Sequence, residues 1–153
     1  MKKSLFVILL ILALSFSLAI AAESIKRTAV ILETKGTVET KSANGIWVPA
    51  QTGAILNPED AIRTAGKSMA ILNLDGNGQT ATVEVKEKTE LELTKMLAEK
   101  GGAEKTLLDL SLGNILIKAK KLHSEKSSFE VKTPTSVVAV RGTTFSVSVE
   151  AVE

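Results

Sequence analysis

Four glutamates stand close together in the middle of the chain, and paired carboxylates are the groups that cleave glycosidic bonds. They are Glu84, Glu87, Glu90 and Glu92. The acid and base of such an enzyme need a concave, partly desolvated site that separates their pKa values. These glutamates instead alternate with other residues beside Lys86 and Lys88, which is typical of the exposed face of a sheet. We therefore predict no catalytic residue and no enzyme activity.

A short glycine-rich stretch, Asp75-Gly76-Asn77-Gly78, looks like the start of a calcium-binding loop. An EF-hand loop needs a further oxygen ligand at its fifth position and a glutamate at its twelfth, where this chain has Gln79 and Lys86. Asp-Gly and Asn-Gly between two alternating apolar runs instead predict the turn of a β-hairpin.

The chain contains one histidine, His123, and no cysteine. A zinc site needs several ligands of these types, and His123 lies among charged residues that are typical of a solvated loop. No serine stands in the Gly-x-Ser-x-Gly elbow of a hydrolase. We predict neither a metal site nor a bound cofactor.

Four lysines form a basic cluster after an alternating apolar run, and they are Lys118, Lys120, Lys121 and Lys126. Such a cluster can contact an anionic lipid or a cell-wall polymer. Opposing acidic residues also make it typical of a solvated edge. Both interpretations stay open at this point.

The first residues are organised like a secretory signal peptide. Lys2 and Lys3 precede an uncharged apolar run from Leu5 to Ile20, and Ala19-Ile20-Ala21 supplies the small residues that a signal peptidase recognises. The apolar run has 16 residues, fewer than the roughly 20 that a helix needs to cross a bilayer. This pattern predicts export and removal of the segment.

The predicted boundaries are 1–21 for a signal-peptide helix, with cleavage before Ala22 or Glu23, and 22–153 for one mature domain. An uncleaved N-terminal anchor is the alternative. Attachment of lipid is excluded because the chain has no cysteine to carry it. An exported domain without cysteine must derive its stability from a packed core instead of disulfides.

The mature domain carries no net charge. Two of the 19 Lys and Arg residues lie in the signal segment, and the remainder equals the 17 Asp and Glu residues. A domain without a basic excess lacks the electrostatic footprint of nucleic-acid binding. We therefore expect no nucleic-acid partner, and contact with the membrane only through the signal peptide before cleavage.

Short apolar runs with period two, separated by turn residues, continue from Thr28 to the end of the chain. The stretch from Leu93 to Lys105 is the one candidate for a helix, but Gly101-Gly102 interrupts it. It is better interpreted as a strand end and a hairpin loop. The pattern predicts an all-β domain.

The tripeptide Arg141-Gly142-Thr143 stands between two apolar runs. Gly142 can adopt a positive φ, so a bulge or a sharp change of strand is the natural interpretation. Because Arg141 follows the apolar run Val137 to Val140, its stem is expected to be partly buried, with the guanidinium clamping a corner. Arg63, between Asp60 and Thr64, is interpreted in the same way. A contact with an anion or a partner is the alternative for Arg141.

An ordered series of segments that ends with this tripeptide resembles the FecR domain. The series runs from Gly36-Thr37-Val38 through Gly53-Ala54-Ile55-Leu56 to Arg141-Gly142-Thr143, and the similarity covers Ala29 to Val149. The motif positions, which are expected to be structural, are Trp47, Asp60, Arg63, Thr64, Asp75, Gly76, Gly113, Thr133, Pro134, Arg141, Gly142 and Thr143.

The FecR domain is a bacterial periplasmic module best known from sigma-factor regulators that sense iron uptake. The resemblance implies a solenoid-like or rolled stack of short strands, with a β-sandwich as the alternative. It also implies a stand-alone, exported, non-catalytic binding or sensory module whose partner is another envelope protein. The alternative function is an envelope-structural protein that binds cell-wall glycan or another anionic surface through the lysine cluster.

Overall fold

The computed structural model of the protein describes residues 24–75, 80–122 and 124–150. These residues form thirteen β-strands and no helix, which confirms the all-β prediction. The strands are Ser24–Lys26 (β1), Ala29–Lys35 (β2), Val38–Lys41 (β3), Val48–Pro49 (β4), Ile55–Leu56 (β5), Ala61–Thr64 (β6), Met69–Leu74 (β7), Ala81–Val85 (β8), Glu90–Glu99 (β9), Glu104–Ala119 (β10), Ser128–Lys132 (β11), Val137–Val140 (β12) and Thr144–Val149 (β13). Within the described ranges, no helix has the length and hydropathy to span a bilayer. The predicted signal-peptide helix and cleavage site lie outside the described residues.

The segments β2–β3, β6–β7 and β8–β9 and the long strand β10 bend along one common line. Each of them contributes to both halves of one sheet. The first half has the order β4-β3-β6-β9-β10-β11-β12, with β1 added to β9. The second half has the order β5-β2-β7-β8-β10-β13. All strand pairs are antiparallel except β10 with β11. β10 belongs to both halves and is the strand that joins them.

The bend folds the two halves face to face over a single hydrophobic core. Leu91 and Leu108 of the first half lie in the same buried cluster as Val83 and Ile117 of the second. In β10 the buried positions are even-numbered before Gly113 and odd-numbered after it. One residue is thus inserted at the bend, as in a β-bulge, and both parts of the strand keep an apolar face toward the core. The result is a rolled sheet, the first of the two architectures expected.

Two hairpins predicted from the sequence are confirmed. β7 pairs with β8, with Leu74 opposite Ala81, so the chain turns after Asp75 as expected. The turn residues 76–79, which include the motif position Gly76, lie outside the described residues. Gly101 and Gly102 take positive φ values of 108° and 82° in the turn between β9 and β10.

The two sides of the rolled sheet differ in whether a connecting segment closes the gap between its two halves. On one side β4 and β5 are joined by the short segment 50–54, which is hydrogen-bonded to both halves. Ala50 N donates to the carbonyl of Val38 at 2.9 Å, and Ile31 N donates to the carbonyl of Ala54 at 3.0 Å. On the other side, β12 ends the first half and β13 ends the second. No described residue pairs with the outer edge of either strand.

Candidate functional site

The motif positions Thr64 and Gly113 lie at the line where the strands bend. Thr89 N donates to Thr64 Oγ1 at 3.1 Å, and Asn114 N donates to Thr89 Oγ1 at 3.0 Å. A Cβ at Gly113 would lie 2.5 Å from Thr89 Cα and 2.6 Å from the Lys88 carbonyl oxygen. Gly113 also has a φ of 93°, which glycine alone adopts at low cost. Both positions therefore act in the framework that holds the two halves together.

Asp60 closes the turn that leads into β6. Its side chain is buried, and Oδ2 accepts a hydrogen bond from Asn57 N at 2.8 Å. Leu93 N donates to the Asp60 carbonyl at 2.9 Å, which fastens the turn to β9. The carboxylate therefore accepts a hydrogen bond from the backbone and is buried away from any ligand.

Trp47 and Arg63 contact each other on the outer face of the first half. The Arg63 guanidinium lies 4.3 Å from the centre of the indole ring, and Lys41 Nζ lies 5.0 Å from it. Arg63 Nε also donates to Glu39 Oε2 at 2.7 Å. The Arg63 side chain is 41% exposed, and its guanidinium contacts an aromatic face and a carboxylate.

Thr133 and Pro134 form the corner between β11 and β12. Thr133 is buried, and its Oγ1 accepts a hydrogen bond from Ser136 N at 3.0 Å while its own N donates to the Ser136 carbonyl at 2.8 Å. Pro134 is exposed at the tip of this turn. The turn reverses the chain, so that β12 pairs antiparallel with β11.

A buried arginine clamp exists in the protein, but it is built by Arg27 and not by Arg141. Arg27 Nε and Nη2 donate to the two carboxylate oxygens of Asp75 at 2.6 Å and 2.8 Å. Its remaining donors bond to Thr80 Oγ1 at 3.1 Å, Thr106 Oγ1 at 3.1 Å and the Leu97 carbonyl at 3.3 Å. All five N–H groups of the guanidinium are therefore used, across the end of the roll opposite the bend.

Sequence reasoning missed this clamp. Arg27 and Asp75 are 48 positions apart, and only the pairing of β2 with β7 brings their chain ends together. The sequence did contain a signal for a buried arginine at this position. Arg27 stands just before the apolar run of β2, as Arg141 stands just after the apolar run of β12. Burial beside an apolar run could thus have been predicted for Arg27 as it was for Arg141.

The expectation that Arg141 is partly buried is wrong, since the structure exposes it. Its guanidinium makes no ion pair with any described residue. The physical reason is the position of β12 at the sheet edge: Val137 is 61% exposed and Val138 is 36% exposed, so the apolar run is not covered on both faces. Gly142 does have the predicted positive φ, at 68°.

Arg141-Gly142-Thr143 crosses from the end of the first half to the end of the second and brings Arg141 to the lysine cluster. A Cβ at Gly142 would lie 2.6 Å from Lys121 Cα, and Ala119 N donates to the Thr143 carbonyl at 3.1 Å. We call the exposed cations gathered here the basic end; they are Lys118, Lys120, Lys121, Lys126 and Arg141. None of them forms an ion pair with a described residue. Glu125 is the carboxylate of this region that shares a shallow depression with Arg141.

A groove of about 470 Å³ opens between the outer edges of β12 and β13. We call it the edge groove; its apolar lining is Leu112, Pro134, Val138, Val147 and Val149. β12 reads Val-Val-Ala-Val and β13 reads Thr-Phe-Ser-Val-Ser-Val, so neither flanking strand contains a charge. The rest of the lining is made of serines, threonines and the carboxylate of Glu150. The groove therefore joins a mixed apolar and polar lining to two strand edges with free backbone groups.

The four glutamates weighed as catalytic residues do not form one site. Glu84 lies on the second half and pairs with Lys86, whereas Glu90 and Glu92 lie exposed on β9 of the first half. No cluster of three or more potential metal ligands occurs among the described residues. His123 lies outside them.

The described residues form a rolled all-β sheet with an open strand edge beside a group of exposed cations. The family described as FecR protein matches residues 60–153, more than half of the chain. The chain therefore belongs to the FecR family, a family of regulatory proteins associated with the bacterial envelope. The matched region runs from Asp60 through β13 and contains the bend, the basic end and the edge groove. No curated protein and no solved structure matches the chain.

Proposed function

We propose that the protein is exported to the periplasm and acts there as a non-catalytic binding or sensory module that contacts another envelope protein. The observation that carries the proposal is the open edge formed by β12 and β13. Proteins normally protect strand edges by short length, charge or proline, because free backbone groups pair readily with other chains. An edge without such protection is suited to a partner.

The other edges of the same sheet provide the comparison. β4 and β5 have two residues each, and β4 contains Pro49. β1 has three residues and includes Lys26. In contrast β12 and β13 have four and six residues and carry neither charge nor proline. The protection is thus missing on one side of the roll, which favours a specific use of that side.

Export is supported by the organisation of residues 1–21, where two lysines precede an apolar run and a small-residue end. Membership of the FecR family is consistent with a location in the bacterial envelope.

The proposal is tested by presenting the purified protein to a periplasmic extract, to isolated cell-wall sacculi and to anionic phospholipid vesicles at physiological salt. We expect a protein partner to be retained saturably, while sacculi and vesicles leave the protein in the supernatant. Sedimentation with sacculi, without any retained protein, would contradict the proposal.

The second candidate function is attachment to cell-wall glycan or another anionic surface, and the basic end favours it. Its cations have no carboxylate partner among the described residues, so they are free to bind an anionic polymer. This candidate predicts sedimentation that falls steeply as salt is raised, because exposed charges are screened within about 8 Å at physiological ionic strength.

A further inference from the structure

The edge groove and the basic end are neighbouring parts of one surface. β12 begins beside the groove, and Arg141 follows its last residue directly. Val138 faces the groove, while Val140 and Arg141 border the depression at the basic end. A ligand that follows β12 therefore meets a groove with valine side chains and the carboxylate of Glu150 first, and a group of cations next.

We propose that β12 accepts an extended segment of a partner protein as an additional strand, and that this segment carries Asp or Glu residues at the end that lies beside Arg141. The inference rests on the proposed function and specifies its binding surface. Strand addition obtains affinity from main-chain hydrogen bonds and specificity from alternate side chains that enter pockets.

The shape of the groove agrees with this occupant. A strand on the outer edge of β12 would lie about 5 Å from it, over the opening toward β13. Every second side chain of the added strand would then point to Val138, Val147 and Val149, which line the groove. The opposite side of the roll is closed by the segment between β4 and β5, so the added strand would close the side that is open.

The charges favour an acidic partner over a second copy of this chain. If β12 paired with β12 of another copy, the uncharged run Val137 to Val140 would bring no carboxylate, and the groove of that copy would bring one, Glu150. Glu150 and Glu125 together cannot neutralise the five cations of the basic end. Acidic residues on the incoming segment would supply the missing charge, in bonds that Arg141 can make as a planar fork.

The test selects a phage-displayed library of random linear peptides against the immobilised protein. We expect enriched peptides that alternate apolar and polar residues and carry Asp or Glu toward one end. The synthetic form of an enriched peptide should bind Val138→Lys and Arg141→Glu at least about tenfold more weakly than the wild type, a change of about 1.4 kcal/mol. Binding should also slow the amide exchange of β12.

Two variants serve as matched controls. Ile46→Lys changes another exposed apolar residue, 80% exposed, on the opposite side of the roll. Lys35→Glu reverses an exposed charge on β2, which is four strands away from β13 in the second half. Both should bind the peptide like the wild type, and all four variants should melt close to it.

The proposal is overturned if no peptide is enriched, if the enriched peptides lack carboxylates, or if they bind Val138→Lys and Arg141→Glu as tightly as the wild type. A homodimer that dissociates on Val138→Lys, seen by light scattering, would replace it with self-association. A periplasmic partner that binds both variants normally would preserve the proposed function and eliminate this surface.

Discussion

Replacing Arg27 by alanine should destabilise the protein more than any substitution at the exposed arginine of the family motif. The change removes five hydrogen bonds, two of them to Asp75. The Asp75 side chain is only 14% exposed, so its carboxylate would remain buried without the guanidinium that balances it. Thr80 Oγ1 still donates to Asp75 and can compensate only in part.

Breaking a buried ion pair by removing one partner costs about 3–5 kcal/mol. For a domain of this length, roughly 3–5 °C of melting temperature is lost per kcal/mol, which gives a decrease of about 9–25 °C. Arg27→Lys should recover little of the loss, because one ammonium cannot reproduce the five donors of the fork. Arg27→Met combined with Asp75→Leu should be less harmful than Arg27→Ala, since it leaves no buried charge.

The assay is urea unfolding of each variant, followed by far-UV circular dichroism and supported by thermal melts. Arg141→Ala is the matched control, and it should stay within about 0.5 kcal/mol of the wild type because its side chain is exposed and has no ion-pair partner among the described residues. A melting temperature of Arg27→Ala within about 2 °C of the wild type would refute the reasoning, and so would an equal loss in Arg141→Ala.

Three further predictions concern the bend and the N-terminus. Gly113→Ala should lower the free energy of unfolding by about 2–5 kcal/mol, because the φ is unfavourable for alanine and the new Cβ meets the Thr89 backbone. The control Gly53→Ala, at a φ of 86° with no atom within 4 Å, should lose only the contribution from the φ. Equal urea midpoints of the two variants would contradict the prediction. Thr89→Val should lower the free energy of unfolding by about 1–3 kcal/mol, because Asn114 N loses its acceptor. The control Thr94→Val, which removes only a 3.4 Å hydrogen bond to Glu92 Oε1, should be nearly neutral in the same assay. Mass spectrometry of the exported protein should find a mature N-terminus at Ala22 or the next residue, and an intact N-terminus would show an anchor.

The strands and their faces could be predicted from the sequence because period two is a local signal. Ala81, Val83 and Val85 alternate with polar residues in the sequence and are all buried in β8. The turn after Asp75 was equally clear from its composition. Such signals do not depend on which strand becomes the neighbour.

The environment of each arginine could not be predicted, because burial depends on neighbours that are distant in sequence. The run Val137 to Val140 is as apolar as a central strand, yet it forms the edge of the sheet and exposes Val137. Arg27 is buried because β1 and β2 belong to different halves and the chain crosses between them at this residue. The meeting of Arg141 with the lysine cluster likewise follows from the crossing to β13 and not from spacing in the chain.

The central claim is that the protein binds a partner protein through the open edge of its sheet. The most direct test places a photoreactive amino acid at Val137 in the cell, with the same residue at Ile46 as the control; both positions are exposed, at 61% and 80%. We predict a cross-linked protein adduct of defined mass from position 137, absent when Arg141→Glu is added and absent from position 46. The absence of any adduct at position 137, or equal adducts at both positions, would contradict the claim.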